Sequence, residues 1–176
     1  IIMLSIGEPD LPPPASVLDV AAKAMRSGRT RYAHGQGEPQ TLAAIANHLT
    51  KRSGVPVSPE QVLFMAGTQN GLCTALLTLV QTGDEVLVPD PYYATYEGLV
   101  AASGATFVPV ATGPEDNFHV TAQAIERAIT KRTRVLLLNT PSNPTGAVLT
   151  EKEIDEIGAV CERHDLWIIC DEVYAD

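Results

Sequence analysis

Small polar residues stand at the start of a helical pattern near residue 68. Ala66, Gly67, Thr68 and Gln69 directly follow a short apolar run and open that helix. Free backbone N–H groups and the positive end of the helix dipole both favour a phosphate at such a turn. The Thr68 hydroxyl adds a donor. An ordinary helix cap would explain the same residues, so this stretch alone indicates a phosphate site only weakly.

Aromatic and amide side chains follow two further apolar runs. Tyr92 and Tyr93 come after the run 85–88. They could stack on a flat ligand ring, or they could plug a proline-rich turn. Asn143 lies in a stretch constrained by two prolines and a glycine, and the proline after it favours extended backbone. In that geometry the Asn143 amide can face a ligand.

Asp171 ends the apolar run 166–170. A carboxylate is costly to bury there unless it has a partner, and a protonated heterocyclic nitrogen would be one. A solvated strand end is the alternative interpretation. Taken together, a phosphate site, an aromatic ring, an amide and a carboxylate indicate a pocket for a phosphorylated, protonated aromatic ring.

The elements that position these residues alternate along the chain. Apolar runs predict strands over 62–66, 85–88, 105–110, 134–138 and 166–170. Helical periodicity predicts helices over 15–27, 38–52, 69–81, 93–103, 121–130 and 151–164, the last with an N-cap at Thr150. This alternation predicts an α/β fold with a mostly parallel sheet and helices on both faces. Ligands bind at the carboxyl ends of such strands, where the polar residues lie.

Composition limits the classes of partner. The chain has 176 residues and a formal charge of −9, and this negative charge disfavours a nucleic acid as binding partner. No apolar run is long enough to span a bilayer. Cys73, Cys161 and Cys170 have no metal-binding spacing, and we expect buried thiols in a reducing cytoplasm.

Several motifs occur in a familiar order. They are GEPD, RYAHGQGEPQTLAAIA, GTQNGL, TGDEVLVPDPYYATY, NTPSNPTGAV and CDEVY. In this order and spacing the chain resembles the class I/II aminotransferases, which are fold-type-I enzymes dependent on pyridoxal 5'-phosphate (PLP). The resemblance covers essentially the whole chain, and PSNPTG with DEVY is its most specific part.

The resemblance implies a role for each polar residue around the cofactor. Asp171 would pair with the ring nitrogen, and Tyr93 would stack on the ring. The phosphate would be held by Ala66, Gly67, Thr68 and Gln69.

Four more residues take implied roles. Asn143 and Tyr174 would contact the 3-oxygen of the ring. Gly7 would lie near the substrate carboxylate. Tyr32 would reach the phosphate of a neighbouring subunit, which implies a homodimer.

The lysine that bonds to the cofactor in this family is expected after DEVY. The lysines present fall on or beside predicted helices, so we expect none to be catalytic; they are Lys23, Lys51, Lys131 and Lys152. We therefore expect a fragment that is inactive alone. Residues 1–27 would lead into the domain, residues 28–176 would form a truncated PLP-binding large domain, and the small domain would be absent.

The parent protein would move an amino group from an amino acid to a 2-oxo acid. Two alternatives stay open: a PLP-dependent lyase of the same fold, and a non-catalytic PLP-binding module of a regulator. His34 and His119 lie in predicted loops, where they are either surface residues or substrate contacts.

Overall fold

The computed structural model describes Gly7 and residues 10–175. The chain divides into two compact units, residues 1–64 and residues 65–176. Among the residues that the structure describes, no helix combines the length and apolarity needed to cross a bilayer.

The first unit contains two helices and one short 3-10 turn. Helix α1 is Ala15–Arg26, α2 is Pro39–Ser53, and the turn is Pro59–Gln61. Gly54 is the C-cap of α2 and takes a left-handed conformation with φ of 72°. Leu42 and Ala46 of α2 are buried together with Val62. This unit therefore has a small core of its own.

The predicted strand over 62–66 does not form. The backbone N–H of Phe64 donates to the carbonyl of Gln36 in a loop, and the side chains of Leu63 and Phe64 are more than half exposed. A short apolar run cannot by itself distinguish a strand from an extended connection, because a strand also needs a neighbour. The prediction was wrong for this reason.

The second unit is built on a parallel sheet with the strand order β2-β1-β3-β4. The strands are β1 Glu85–Asp90, β2 Thr106–Ala111, β3 Thr133–Asn139 and β4 Trp167–Asp171. The helices are α3 Thr68–Leu79, α4 Tyr96–Ala102, α5 Ala122–Ala128 and α6 Glu151–Arg163. The chain passes from β1 outward to β2 and then returns to the other side of β1. A topological switch point therefore lies between β1 and β3, where ligands bind in such sheets.

Helices cover both faces of this sheet, as predicted. Val86 and Val88 pack with residues of α3 and α4, whereas Leu87 packs with residues of α5 and α6. Successive strand residues point to opposite faces, so continuous apolar runs are needed for burial on both sides. The predicted N-cap of α6 at Thr150 is present and is part of a capping box, because Thr150 accepts from the Glu153 N–H and Glu153 accepts from the Thr150 N–H.

Two local expectations need correction. Helix α4 begins at Tyr96 instead of Tyr93, which leaves Tyr93 in the turn after β1. Cys161 is buried as expected, but Cys73 is only partly buried and Cys170 is exposed. Cys170 belongs to the edge strand β4, whose Trp167 and Ile168 are also exposed.

Candidate functional site

A cavity of about 170 Å³ lies in the second unit, at the carboxyl ends of the strands. That is about ten times the ~15 Å³ that one water molecule needs, so a small organic molecule can enter it. Among the residues predicted from the sequence, six line this cavity: Thr68, Gln69, Tyr93, Asn143, Asp171 and Tyr174. Ala66 and Gly67 stand immediately before Thr68, at the exposed start of α3.

Asp171 is the buried acid of this cavity. It is 6% exposed at the end of β4. Its Oδ2 accepts a hydrogen bond from the Tyr96 hydroxyl at 2.7 Å, and its Oδ1 accepts one from the Val173 N–H at 3.2 Å. The alternative of a solvated strand end is therefore excluded.

A second buried carboxylate, Glu85, shows what is unusual about Asp171. Glu85 lies at the amino end of β1, is 3% exposed, and forms an ion pair with Arg132. Asp171 has no such cation: within the described part of the chain, no lysine or arginine lines the cavity and no ion pair reaches this carboxylate. Because a buried charge needs a partner, Asp171 is suited to a cationic ligand.

Tyr96 was not singled out from the sequence, although it is the residue bonded to Asp171. It is 1% exposed. Burial, followed by the hydrogen bond to Asp171, raises the pKa of the Tyr96 hydroxyl above its ordinary value. The phenol therefore stays protonated and remains a donor to the carboxylate. Its position three residues after Tyr93, at the first turn of α4, does not indicate a partner 75 positions away in the sequence.

The two adjacent tyrosines have different surroundings. Tyr92 packs on Phe107 with ring centroids 4.7 Å apart, and its hydroxyl donates to Glu97. Tyr93 lines the cavity, is 40% exposed, and meets the Tyr96 ring edge to face at 5.7 Å. Tyr92 thus plugs the turn, while the Tyr93 ring is available to stack on a ligand.

Asn143 and Tyr174 converge at one side of the cavity. The Asn143 Nδ2 donates to the Tyr174 hydroxyl at 3.3 Å. Asn139, which the sequence analysis did not single out, joins two elements here. Its Nδ2 donates to the Asp171 carbonyl, and its Oδ1 accepts from the Asn143 N–H at 2.7 Å. The end of β3 therefore fixes both the strand end at Asp171 and the loop that carries Asn143.

The start of α3 can hold an anion. Gly67 is the N-cap with φ of 85°, and no side chain caps the helix. The first N–H groups of a helix have no partner within the helix, so they can donate to a ligand. Thr95 adds a further donor, because its Oγ1 is buried in the cavity wall without a hydrogen-bond partner among the described residues.

The other residues considered in the sequence lie outside this cavity. Gly7 and Tyr32 belong to the first unit, where both are exposed. His34 lines an open groove in the first unit. His119 lies 2.9 Å from Glu153, so its contact is with α6. All four lysines are exposed, and none of them lines the cavity.

Comparison with known proteins places this arrangement in a family. The family model for aminotransferase class I and II matches residues 1–176. An arginine–pyruvate transaminase of Pseudomonas aeruginosa is 40% identical over 176 residues, which is all of this chain and 45% of that protein. Aromatic-amino-acid aminotransferase 2 of Thermococcus litoralis is 37% identical over 99% of this chain and 45% of its own length.

Comparison of the fold with solved structures supports the same family. The aspartate aminotransferase of Rhizobium meliloti matches with a TM-score of 0.95 and 32% identity, over 99% of this chain and 44% of that chain. The present chain thus spans less than half the length of the proteins that it matches. Its parallel sheet and flanking helices correspond to the fold-type-I large domain of these enzymes. The chain belongs to the class I and II aminotransferase family.

Proposed function

We propose that this chain forms the front part of the cofactor-binding domain of a PLP-dependent aminotransferase. The complete protein would move an amino group from an amino acid to a 2-oxo acid. The observation that carries the proposal is the buried Asp171 carboxylate, which has hydrogen bonds in the cavity but no cation among the described residues.

The residues present fit PLP in four respects. The uncapped start of α3 suits a phosphate dianion. The half-exposed Tyr93 ring suits a flat pyridine ring. The Asp171 carboxylate suits a protonated ring nitrogen, and the unpaired Thr95 hydroxyl calls for a polar group.

Each residue would then have a distinct task. Thr68 and Gln69 would bind the phosphate, and Tyr93 would hold the plane of the ring. Asn143 and Tyr174, already in contact with each other, would bind the 3-oxygen. Asp171 would keep the ring nitrogen protonated. When bound, PLP supplies an electron sink for the bond that is broken at the amino acid's α-carbon.

Proton transfer at the substrate needs a further group. The four lysines of this chain are exposed, and none of them lines the cavity. We infer that residues of the complete protein beyond this chain supply the lysine that bonds to the cofactor and moves the proton. We further propose a cytoplasmic homodimer in which the exposed Tyr32 reaches the partner's phosphate site and Gly7 lies near the substrate carboxylate.

Amino-acid turnover by the complete natural protein tests the proposed function. We expect product to form from an amino acid only when a 2-oxo acid acceptor is present, with one cofactor bound per chain. Borohydride reduction followed by intact mass should show one pyridoxyl group on that protein, and residues 1–176 alone should show neither adduct nor turnover.

Other outcomes separate the alternatives. Turnover without an acceptor would identify a lyase. PLP binding without turnover of any amino acid would support a regulatory module. No spectral change and no adduct with PLP would refute the proposed cofactor.

A further inference from the structure

The hydrogen bond between Tyr96 and Asp171 joins residues that lie 75 positions apart in the sequence. Tyr96 begins α4, whereas Asp171 ends β4. Both side chains are almost completely buried, and the oxygen atoms are 2.7 Å apart. A charge-assisted bond of this length in a buried place is a strong one.

This bond fixes the direction of the carboxylate. The Val173 N–H also donates to Asp171, but it comes from the residue two positions later and moves with the end of β4. The Tyr96 hydroxyl comes from a different element, held in the core with Leu72, Leu99 and Val100. It therefore ties the carboxylate to the rigid body of the unit.

We propose that Tyr96 is a positioning residue, whose hydroxyl orients the Asp171 carboxylate toward a cationic ring nitrogen in the cavity. This inference rests on the proposed function and deepens it. Tyr96 does not need to touch the ligand, because it acts through Asp171.

The Tyr96 side chain also contacts Tyr93, and a substitution that tests the hydroxyl must keep this contact. Its ring meets the Tyr93 ring edge to face at 5.7 Å, and Tyr93 lines the cavity. The Tyr96→Phe variant retains the ring, its core packing and this aromatic contact. It removes only the hydroxyl. Because Tyr96 also lines the cavity, two probes and a double-mutant cycle are needed to separate an action through Asp171 from a direct contact with the ligand.

The decisive experiment measures dissociation constants with two probes on the complete natural protein. One probe is PLP, and the other is its carbocyclic analogue, in which a C–H replaces the ring nitrogen. Both carry the same phosphate and aldehyde, so only PLP can donate from the ring to Asp171. The matched control is Tyr92→Phe, because Tyr92 donates to the exposed Glu97 and does not line the cavity.

We expect Tyr96→Phe to weaken PLP binding about tenfold, the size of one hydrogen bond to a charged group. The dissociation constant of the analogue should stay within about twofold of its wild-type value. A change of that size is well below the loss of one hydrogen bond to a charged group. Tyr92→Phe should change neither constant. Equal losses for both probes would overturn the inference, because they would indicate a general structural role, and so would the absence of any loss.

A double-mutant cycle gives an independent measurement. In an Asp171→Asn background, adding Tyr96→Phe should weaken PLP binding by less than about twofold, because the charge on which Tyr96 acts is gone. A full tenfold loss in that background would refute an action through Asp171. If wild-type protein bound PLP normally but the cycle were additive, only this inference would fail. If wild-type protein did not bind PLP, the proposed function would fail with it.

Discussion

Replacing Gly67 by alanine tests whether the backbone at the start of α3 is shaped for an anion. Gly67 has φ of 85° and ψ of 143°, a conformation that a residue with a Cβ rarely adopts. A Cβ added there would meet no atom within 4 Å. The penalty therefore comes from the residue's own backbone, at about 1–3 kcal/mol.

Gly71 provides a matched control four residues later in the same helix. It has no positive φ, and an added Cβ again meets nothing within 4 Å. Alanine at such a helical position stabilises a protein by about 0.4–1 kcal/mol. The same substitution should therefore lower the free energy of unfolding at Gly67 and raise it at Gly71, with a difference of about 1.4–4 kcal/mol between the two variants.

Urea unfolding of the complete protein without ligand, at one fixed protein concentration, measures that difference. A PLP titration then shows whether the strained turn also matters for binding. Gly67→Ala should be less stable than wild type and bind PLP more weakly. Gly71→Ala should be more stable and bind PLP normally. Equal stabilities for the two variants would refute the argument from backbone conformation.

Three further outcomes follow from single side chains. Tyr93→Ala should weaken PLP binding about fivefold through lost stacking, while Tyr93→Phe stays close to wild type in the same titration. Glu153→Ala should lower the free energy of unfolding by about 1 kcal/mol through loss of the capping box, whereas Glu156→Ala on the same helix should change it by less than about 0.5 kcal/mol. Hydrogen bonds from the Thr150 backbone and hydroxyl, with His119, lower the pKa of Glu153 to about 2 from an ordinary 4.5. Because the folded-state value is the lower one, this stabilisation is complete above about pH 4.5 and is lost as the pH falls toward 2, so the stability gap between wild type and Glu153→Ala should close in acid.

The layered arrangement of sheet and helices in the second unit could be predicted from the sequence. Continuous apolar runs such as 134–138 predicted strands buried on both faces, and the helical stripes between them predicted the covering helices. Boundaries were set by contacts that periodicity does not show. Tyr93 was predicted as the first residue of a helix, but α4 starts at Tyr96, which leaves the Tyr93 ring free to line the cavity.

Some polar residues of the cavity could also be predicted from the sequence, and others could not. Asn143, Asp171 and Tyr174 could be predicted because each follows a strand or a constrained turn. Tyr96 and Asn139 could not, since their importance comes from hydrogen bonds to residues far along the chain. Tyr96 is an aromatic residue in an apolar helix, and Asn139 is a polar residue at a strand end, so neither pattern predicts its partner.

The cavity described above does not determine which amino acid the complete protein would use, if it binds the cofactor as proposed. Under the proposed function its polar groups would bind a phosphate, a ring nitrogen and a ring oxygen. They come from the start of α3 and from the carboxyl ends of strands around one switch point. The related proteins act, by their names, on arginine, aromatic amino acids and aspartate, although they share this part of the fold. Groups that hold only the shared cofactor cannot distinguish such side chains. Under the proposed function, substitutions at Asp171, Tyr96 or Asn143 should therefore lower turnover of every amino acid substrate by a similar factor, without changing the order of preference.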